Sequence, residues 1–120
     1  MEVYRIGKTK FIHDLSGTGS RLYGGRWNSK GLGVIYTSSY RSLAALELLV
    51  HVPLKNLTHD YSLATIHIPE NIRIKTITLH HLPDDWQNIS MNPSLQEIGN
   101  KWMKELQACI LKVPSVVIPK

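Results

Sequence analysis

One acidic side chain interrupts an otherwise greasy run. In Leu43-Ala44-Ala45-Leu46-Glu47-Leu48-Leu49-Val50, Glu47 is the only polar residue. It follows Leu43 by four positions and precedes Val50 by three, so on a helix it shares a face with apolar neighbours whichever way the helix is turned. A helix that is apolar on all sides is expected to be buried, and Glu47 is expected to be buried with it or to line a cavity. An ionised carboxylate in such a place must be paired or put to use, because unpaired burial is costly. Two readings follow: a structural ion pair with an arginine, or an active-site acid.

Cationic partners are available upstream, in Ser20-Arg21-Leu22-Tyr23-Gly24-Gly25-Arg26-Trp27-Asn28-Ser29-Lys30-Gly31. An arginine beside a Gly-Gly turn can offer its planar fork to a diphosphate, with neighbouring backbone N–H groups adding contacts. The stretch is not a known phosphate loop. Gly17-Thr18-Gly19 lacks the Gly-Lys-Ser/Thr continuation of a Walker A motif, and it is no dinucleotide-binding fingerprint. Taken singly, Arg5 and Arg26 would be read as solvated surface arginines, Tyr36 as a core tyrosine and Ser115 as a strand-end serine. Cys109 lies in Ala108-Cys109-Ile110-Leu111 and is expected to be a buried, inert thiol. His51, His59, His67 and the pair His80-His81 show neither a His-Glu-x-x-His helix nor Cys/His ligand spacing, so no metal site is assigned.

The elements that must position these groups can be read from periodicity. Glu2 to Ile6 alternates as a strand. Ser16 to Gly33 holds six of the eight glycines, and with Leu22, Tyr23 and Trp27 interleaved it is expected to be an ordered functional loop. Gly33 to Thr37 reads as a strand. Ser38-Ser39 then caps a helix running to about His51, which Pro53 ends. Tyr61 to Ile68 and Asn71 to Leu79 read as strands, and Leu82 to Pro93 as a connecting loop. Pro93-Ser94 opens a second helix whose apolar stripe is Leu95, Ile98, Trp102 and Leu106, interrupted by Gly99. Cys109 to Val113 and Ser115 to Ile118 read as two β segments joined at Pro114. Strands mixed with two main helices and little βαβ alternation predict a single α+β domain with mixed sheets.

Composition limits the classes. At 120 residues and 42% hydrophobic, the chain can close one core. No apolar run is long enough to span a bilayer, and the start MEVYRIGKTK lacks the apolar region of a secretory signal, so a cytoplasmic protein is expected. The single cysteine excludes an internal disulfide, in keeping with a reducing compartment. The sequons Asn56-Leu57-Thr58 and Asn88-Ile89-Ser90 would matter only to a secreted glycoprotein. The net charge of +5 is uneven: residues 1–60 carry +4 and residues 61–120 carry +1. An anionic partner is therefore expected to meet the N-terminal half.

Taken together, these pieces resemble the RES domain family. The resemblance rests on Tyr4-Arg5-Ile6, Arg21-Leu22-Tyr23-Gly24-Gly25-Arg26-Trp27-Asn28, Val34-Ile35-Tyr36-Thr37-Ser38, Leu43-Ala44-Ala45-Leu46-Glu47 and Val113-Pro114-Ser115, in this order from about residue 3 to residue 119. It implies an ADP-ribosyltransferase-like fold and a toxin that degrades NAD at its nicotinamide-ribose bond, by hydrolysis or phosphorolysis. NAD is then a substrate, and no cofactor is implied. The positions carried over are Arg5, Arg26, Tyr36, Glu47 and Ser115. Glu47 would stabilise an oxocarbenium-like state and orient the ribose hydroxyls. Arg5 and Arg26 would bind the pyrophosphate, Tyr36 would stack on the nicotinamide, and Ser115 would hydrogen-bond within the site.

A cognate Xre-type antitoxin, covering the mouth of the site, is the partner that the resemblance implies, with a homo-oligomer inside that complex a further option. Family members continue into a segment with an Asn-Pro-x-His-Pro pattern, so the chain to Lys120 is expected to hold the catalytic set without that segment. The nearest alternative is transfer of ADP-ribose to a protein. A lower-ranked one is a basic nucleic-acid-binding module, disfavoured because the basic residues are dispersed and no reader motif is present.

Overall fold

A computed structural model describes residues 1–52, 55, 60–88 and 92–118. Among them the chain is α+β, with two main helices and two two-stranded sheets. It divides into two compact units, each discontinuous in sequence. One comprises residues 1–15 and 36–70, the other residues 16–35 and 71–120.

The first unit is built on β1 (Glu2–Lys8) and β2 (Tyr61–His67), paired antiparallel with Tyr4 opposite Thr65 and Ile6 opposite Leu63. The Met1 ammonium donates to the Ile68 carbonyl at 2.8 Å, closing one end of the ribbon. At the other end, Thr9 N–H donates to the Asp60 carbonyl at 2.6 Å. The segment expected to be a strand from Gly33 to Thr37 is not one. Only Ser38 pairs with β1, exchanging two 2.8 Å backbone bonds with Tyr4.

Because Ser38 is used in this bridge, it does not cap the next helix. The first main helix, Arg41–His51, has its N-cap one residue beyond the expected Ser38-Ser39 cap, at Tyr40, which offers no side-chain bond. The helix ends at Val52, whose N–H reaches the Leu48 carbonyl at 2.8 Å. Pro53, expected to stop it, lies outside the described residues. Nor is this helix buried all round: Leu46, Leu49 and Val50 are exposed, Val50 by 62%. Its other face carries buried Ala44 and half-buried Glu47 and Leu48.

In the second unit, the glycine-rich stretch contains a short helix, α1 (Thr18–Tyr23), where a loop was expected. Gly17 caps it in the left-handed region at φ 74°, where a Cβ would meet Val34 N at 2.8 Å. With α1 counted, Arg41–His51 is α2. The second main helix, α3 (Pro93–Glu105), begins as expected, with Asn92 Oδ1 accepting from Ser94 N–H at 2.9 Å and Pro93 in the first turn. Leu95, fully buried, packs with Trp27 and Trp86 in a cluster joined by Ile98 and Val113. Leu106 does not extend the stripe. It terminates α3 in the left-handed region at φ 53° and is 82% exposed.

Two short strands, β3 (Ile74–Thr76) and β4 (Ile110–Lys112), pair in parallel, with Ile74 opposite Ile110. Parallel strands need a long crossover, and the intervening chain with α3 supplies it. This βαβ unit was not legible in the pattern, because each strand is only three residues long. The expected strand from Asn71 to Leu79 shrinks to β3. The expected one from Ser115 to Ile118 is a turn, since Ser115 Oγ accepts from Val117 and Ile118 N–H at 3.1 and 3.2 Å. Cys109, just ahead of β4, is exposed and not buried as expected. His13, His67, His80 and His81 are exposed, while His59 lies outside the described residues.

Candidate functional site

Three pieces of the first unit converge on one cavity of about 180 Å³. β1 contributes Tyr4 and Arg5, the residues after Ile35 contribute Tyr36 and Ser38, and α2 contributes Glu47 and Leu48. The local reasons are simple. Ala44, Glu47 and Leu48 fall three and four residues apart, so one face of α2 presents them together. The double bond between Ser38 and Tyr4 fixes the chain just after Tyr36 against β1. Ala44, small and buried, lets α2 come close.

Glu47 is half-buried and Tyr36 is 41% exposed, so the cavity is open to solvent on a side that carries an aromatic ring. Drug-sized ligand pockets run to roughly 300–1,000 Å³, so this cavity accommodates a ring or a sugar rather than a whole dinucleotide. An acid, a cation and two tyrosines around a small open cavity can hold a planar ring and steady positive charge that develops on an adjoining atom.

Arg5 lines this cavity, and part of its guanidinium also holds a neighbouring loop. Nη1 donates to the Asp14 carbonyl at 2.9 Å and, at the longer 3.5 Å, to that of Ile12; Nη2 donates to the Phe11 carbonyl at 3.5 Å. Thus Arg5, Tyr36 and Glu47, singled out from the sequence, meet around one space. Tyr4 and Ser38 also line it; sequence reasoning placed both in matching blocks without giving either a part in the site.

Arg26 and Ser115 belong to the second unit. There, Arg26 Nη1 donates to the Trp86 and Asn88 carbonyls at 2.9 and 3.0 Å. The Gly-Gly-Arg-Trp-Asn block forms a tight loop in which Gly25 and Asn28 bridge. Asn28, fully buried, donates through Nδ2 to the carbonyls of Ser20 at 2.9 Å and Leu32 at 2.7 Å. Gln96 of α3 donates to the Gly25 and Asn28 carbonyls at 3.0 and 3.1 Å. Asn100 and Ser29 exchange two further bonds. The block is therefore a polar clasp onto α3 as well as a carrier of Arg26.

Among the described residues, no group of three His, Cys, Asp or Glu side chains could hold a metal ion. No helix of the described residues is long and apolar enough to cross a membrane.

Comparison with known proteins agrees with the motif blocks. The RES domain family model matches residues 2–120. The chain is 39% identical over 120 residues to Toxin Res of Photorhabdus laumondii, covering 99% of this chain and 76% of that protein. It is 33% identical over 120 residues to Toxin Res of Yersinia enterocolitica, covering 99% and 78%. It is 33% identical over 115 residues to the Prs ADP-ribosylating toxin of a Sphingobium species, covering 94% and 71%. The chain is a member of the RES domain family.

Proposed function

We propose that this protein is a toxin enzyme that cleaves the nicotinamide-ribose bond of NAD. The observation that carries the reading is the convergence of Glu47, Arg5 and Tyr36 on one small cavity in a chain of the RES family. In the proposed reaction, the bond between ribose C1′ and the pyridinium nitrogen breaks, and its electron pair leaves with neutral nicotinamide. Positive charge develops on C1′ and the ring oxygen, where the Glu47 carboxylate stabilises it. Tyr36 stacks on the nicotinamide ring. Water, releasing a proton as it adds, or phosphate then attacks that same C1′ carbon through oxygen, giving ADP-ribose or ADP-ribose phosphorylated at that carbon. The parts given to Arg26 and Ser115, pyrophosphate binding and a hydrogen bond within the site, rest on the family resemblance. So does neutralisation by a cognate Xre-type antitoxin in the cytoplasm.

A second reading is transfer of ADP-ribose to a protein, favoured by one specific observation: the Sphingobium relative is named as an ADP-ribosylating toxin. Bond breaking is the same, and only the acceptor differs. Incubating the purified chain with NAD, with and without phosphate, and identifying the products separates the outcomes. Nicotinamide release with free ADP-ribose or its phosphate supports the first reading, and a labelled protein acceptor supports the second. Glu47→Gln is expected to lower nicotinamide release at least a hundredfold, within the range of about 10²–10³ for losing one transition-state stabilising group, while the far-UV circular dichroism stays unchanged. Full activity in a folded Glu47→Gln variant would remove the role assigned to Glu47.

A further inference from the structure

The proposed substrate carries a dianionic diphosphate, and the cavity holds only a fraction of the dinucleotide. The diphosphate must lie outside the walls, where a cation with available N–H donors has to meet it. Arg5 is at the wall, but part of its five-donor guanidinium is taken up by the carbonyls of residues 11, 12 and 14. A second arginine of the same unit is differently placed. Arg41 opens α2, one turn before Ala44 and seven residues before Leu48, both of which line the cavity. Positions 41, 44 and 48 share a helix face. Independently, the Arg41 guanidinium carbon lies 5.1 Å from the centroid of the Tyr4 ring, and Tyr4 lines the cavity too. A cation over an aromatic face within about 6 Å is held there while its N–H edge stays open to a ligand. Among the described residues, Arg41 forms neither an ion pair nor a hydrogen bond, and it is solvent-exposed.

We propose that Arg41, held on the Tyr4 ring at the edge of the Glu47 cavity, is a second cation of this unit that binds the diphosphate of the dinucleotide substrate, beside Arg5. The inference rests on the NAD reading given above and adds to it a group that grips substrate without touching the bond that breaks. The planar fork suits two phosphate oxygens at once, which an ammonium cannot match. Its contribution is binding that is uniform between ground state and transition state, so it acts on KM and leaves kcat in place.

The test is steady-state kinetics on NAD for the parent, Arg41→Gln and Arg41→Lys. The Gln variant is expected to raise KM about tenfold with kcat within a factor of two, and Lys to recover part of the loss. An unchanged KM in Arg41→Gln, or a fall in kcat at constant KM, overturns the proposal. If the parent leaves NAD intact, the enzymatic reading fails by itself, and equilibrium titration of NAD into parent and Arg41→Gln decides the binding role. Weaker binding by the variant upholds the role, while equal binding, or none by the parent, ends it. Because the side chain is exposed, equal melting temperatures are expected for parent and variant.

Discussion

The two units solve opposite problems. Residues 16–35 and 71–120 close around Trp27, Trp86 and the fully buried Leu95, and they bury Asn28 with its amide donating to surrounding carbonyls. Among the described residues of 1–15 and 36–70, the buried apolar side chains are Val3, Ile12 and Ala44. This unit leaves a cavity beside Glu47, and the apolar residues Leu46, Leu49 and Val50 of α2 remain exposed. One unit is fitted tightly to itself, and the other keeps surface and space open for something else. The difference teaches that tight packing and open space lie in different units, so that the stability cost of a substitution should sort by unit.

The largest effect expected is at Gly99. A Cβ there would fall on the Trp27 carbonyl oxygen, because α3 crosses directly over that loop. Alanine normally gains about 1 kcal/mol over glycine inside a helix, yet here the collision dominates. Gly99→Ala is expected to destabilise the chain by about 3 kcal/mol, as overpacking of a tight site does, measured by urea denaturation. A neutral or stabilising result would show that the helix can lift from Trp27 at little cost, and the tight unit would not be tight.

Next comes Asn28. Asn28→Ala removes the donor to the Ser20 and Leu32 carbonyls and leaves those acceptors inside the loop. The Ser20 carbonyl keeps its bond from Gly24 N–H, so a loss of about 2 kcal/mol is expected chiefly from the part-buried Leu32 carbonyl left without its donor, again by denaturant titration. A loss below about 0.5 kcal/mol, the scale of an ordinary surface substitution, would mean that water replaces the amide.

The smallest effect is expected at Leu49, in the open unit. Half-exposed and without the Trp27 cluster around it, Leu49→Ala should cost under about 1 kcal/mol, well below the roughly 2–5 kcal/mol of a buried leucine truncation. A cost in the buried range would show that this face of α2 is covered in solution, and the contrast between the units would have to be redrawn.

Much of the fold was legible where a pattern is local. β1 and β2 were read from alternation, and α3 from its proline start and the spacing of Leu95, Ile98 and Trp102. The start of α2 was misplaced because a serine's capping propensity was weighed without its competitor. Ser38 has a backbone partner in Tyr4, distant in sequence, and that bond decides the geometry. Ser115 was read as part of a strand although its hydroxyl holds a turn. The grouping of Glu47 with Arg5 and Tyr36 was suggested by motif order, but Tyr4 and Arg41 had no local signal. Cation–π contact and a shared cavity wall exist only after β1 and α2 pack together.

By itself, the sequence determined which residues were candidates: a lone acid in an apolar run, a glycine-arginine block, and family blocks in fixed order. It also determined the periodic elements, since hydrophobic spacing of two or near 3.6 is a property of neighbours along the chain. Only the tertiary structure decided that α2 is apolar toward solvent on one face, that Gly99 is an approach point rather than a weakness, and that β3 and β4 run parallel. Those facts depend on which distant backbone or side chain fills the adjacent space, and no residue carries that information in its own type.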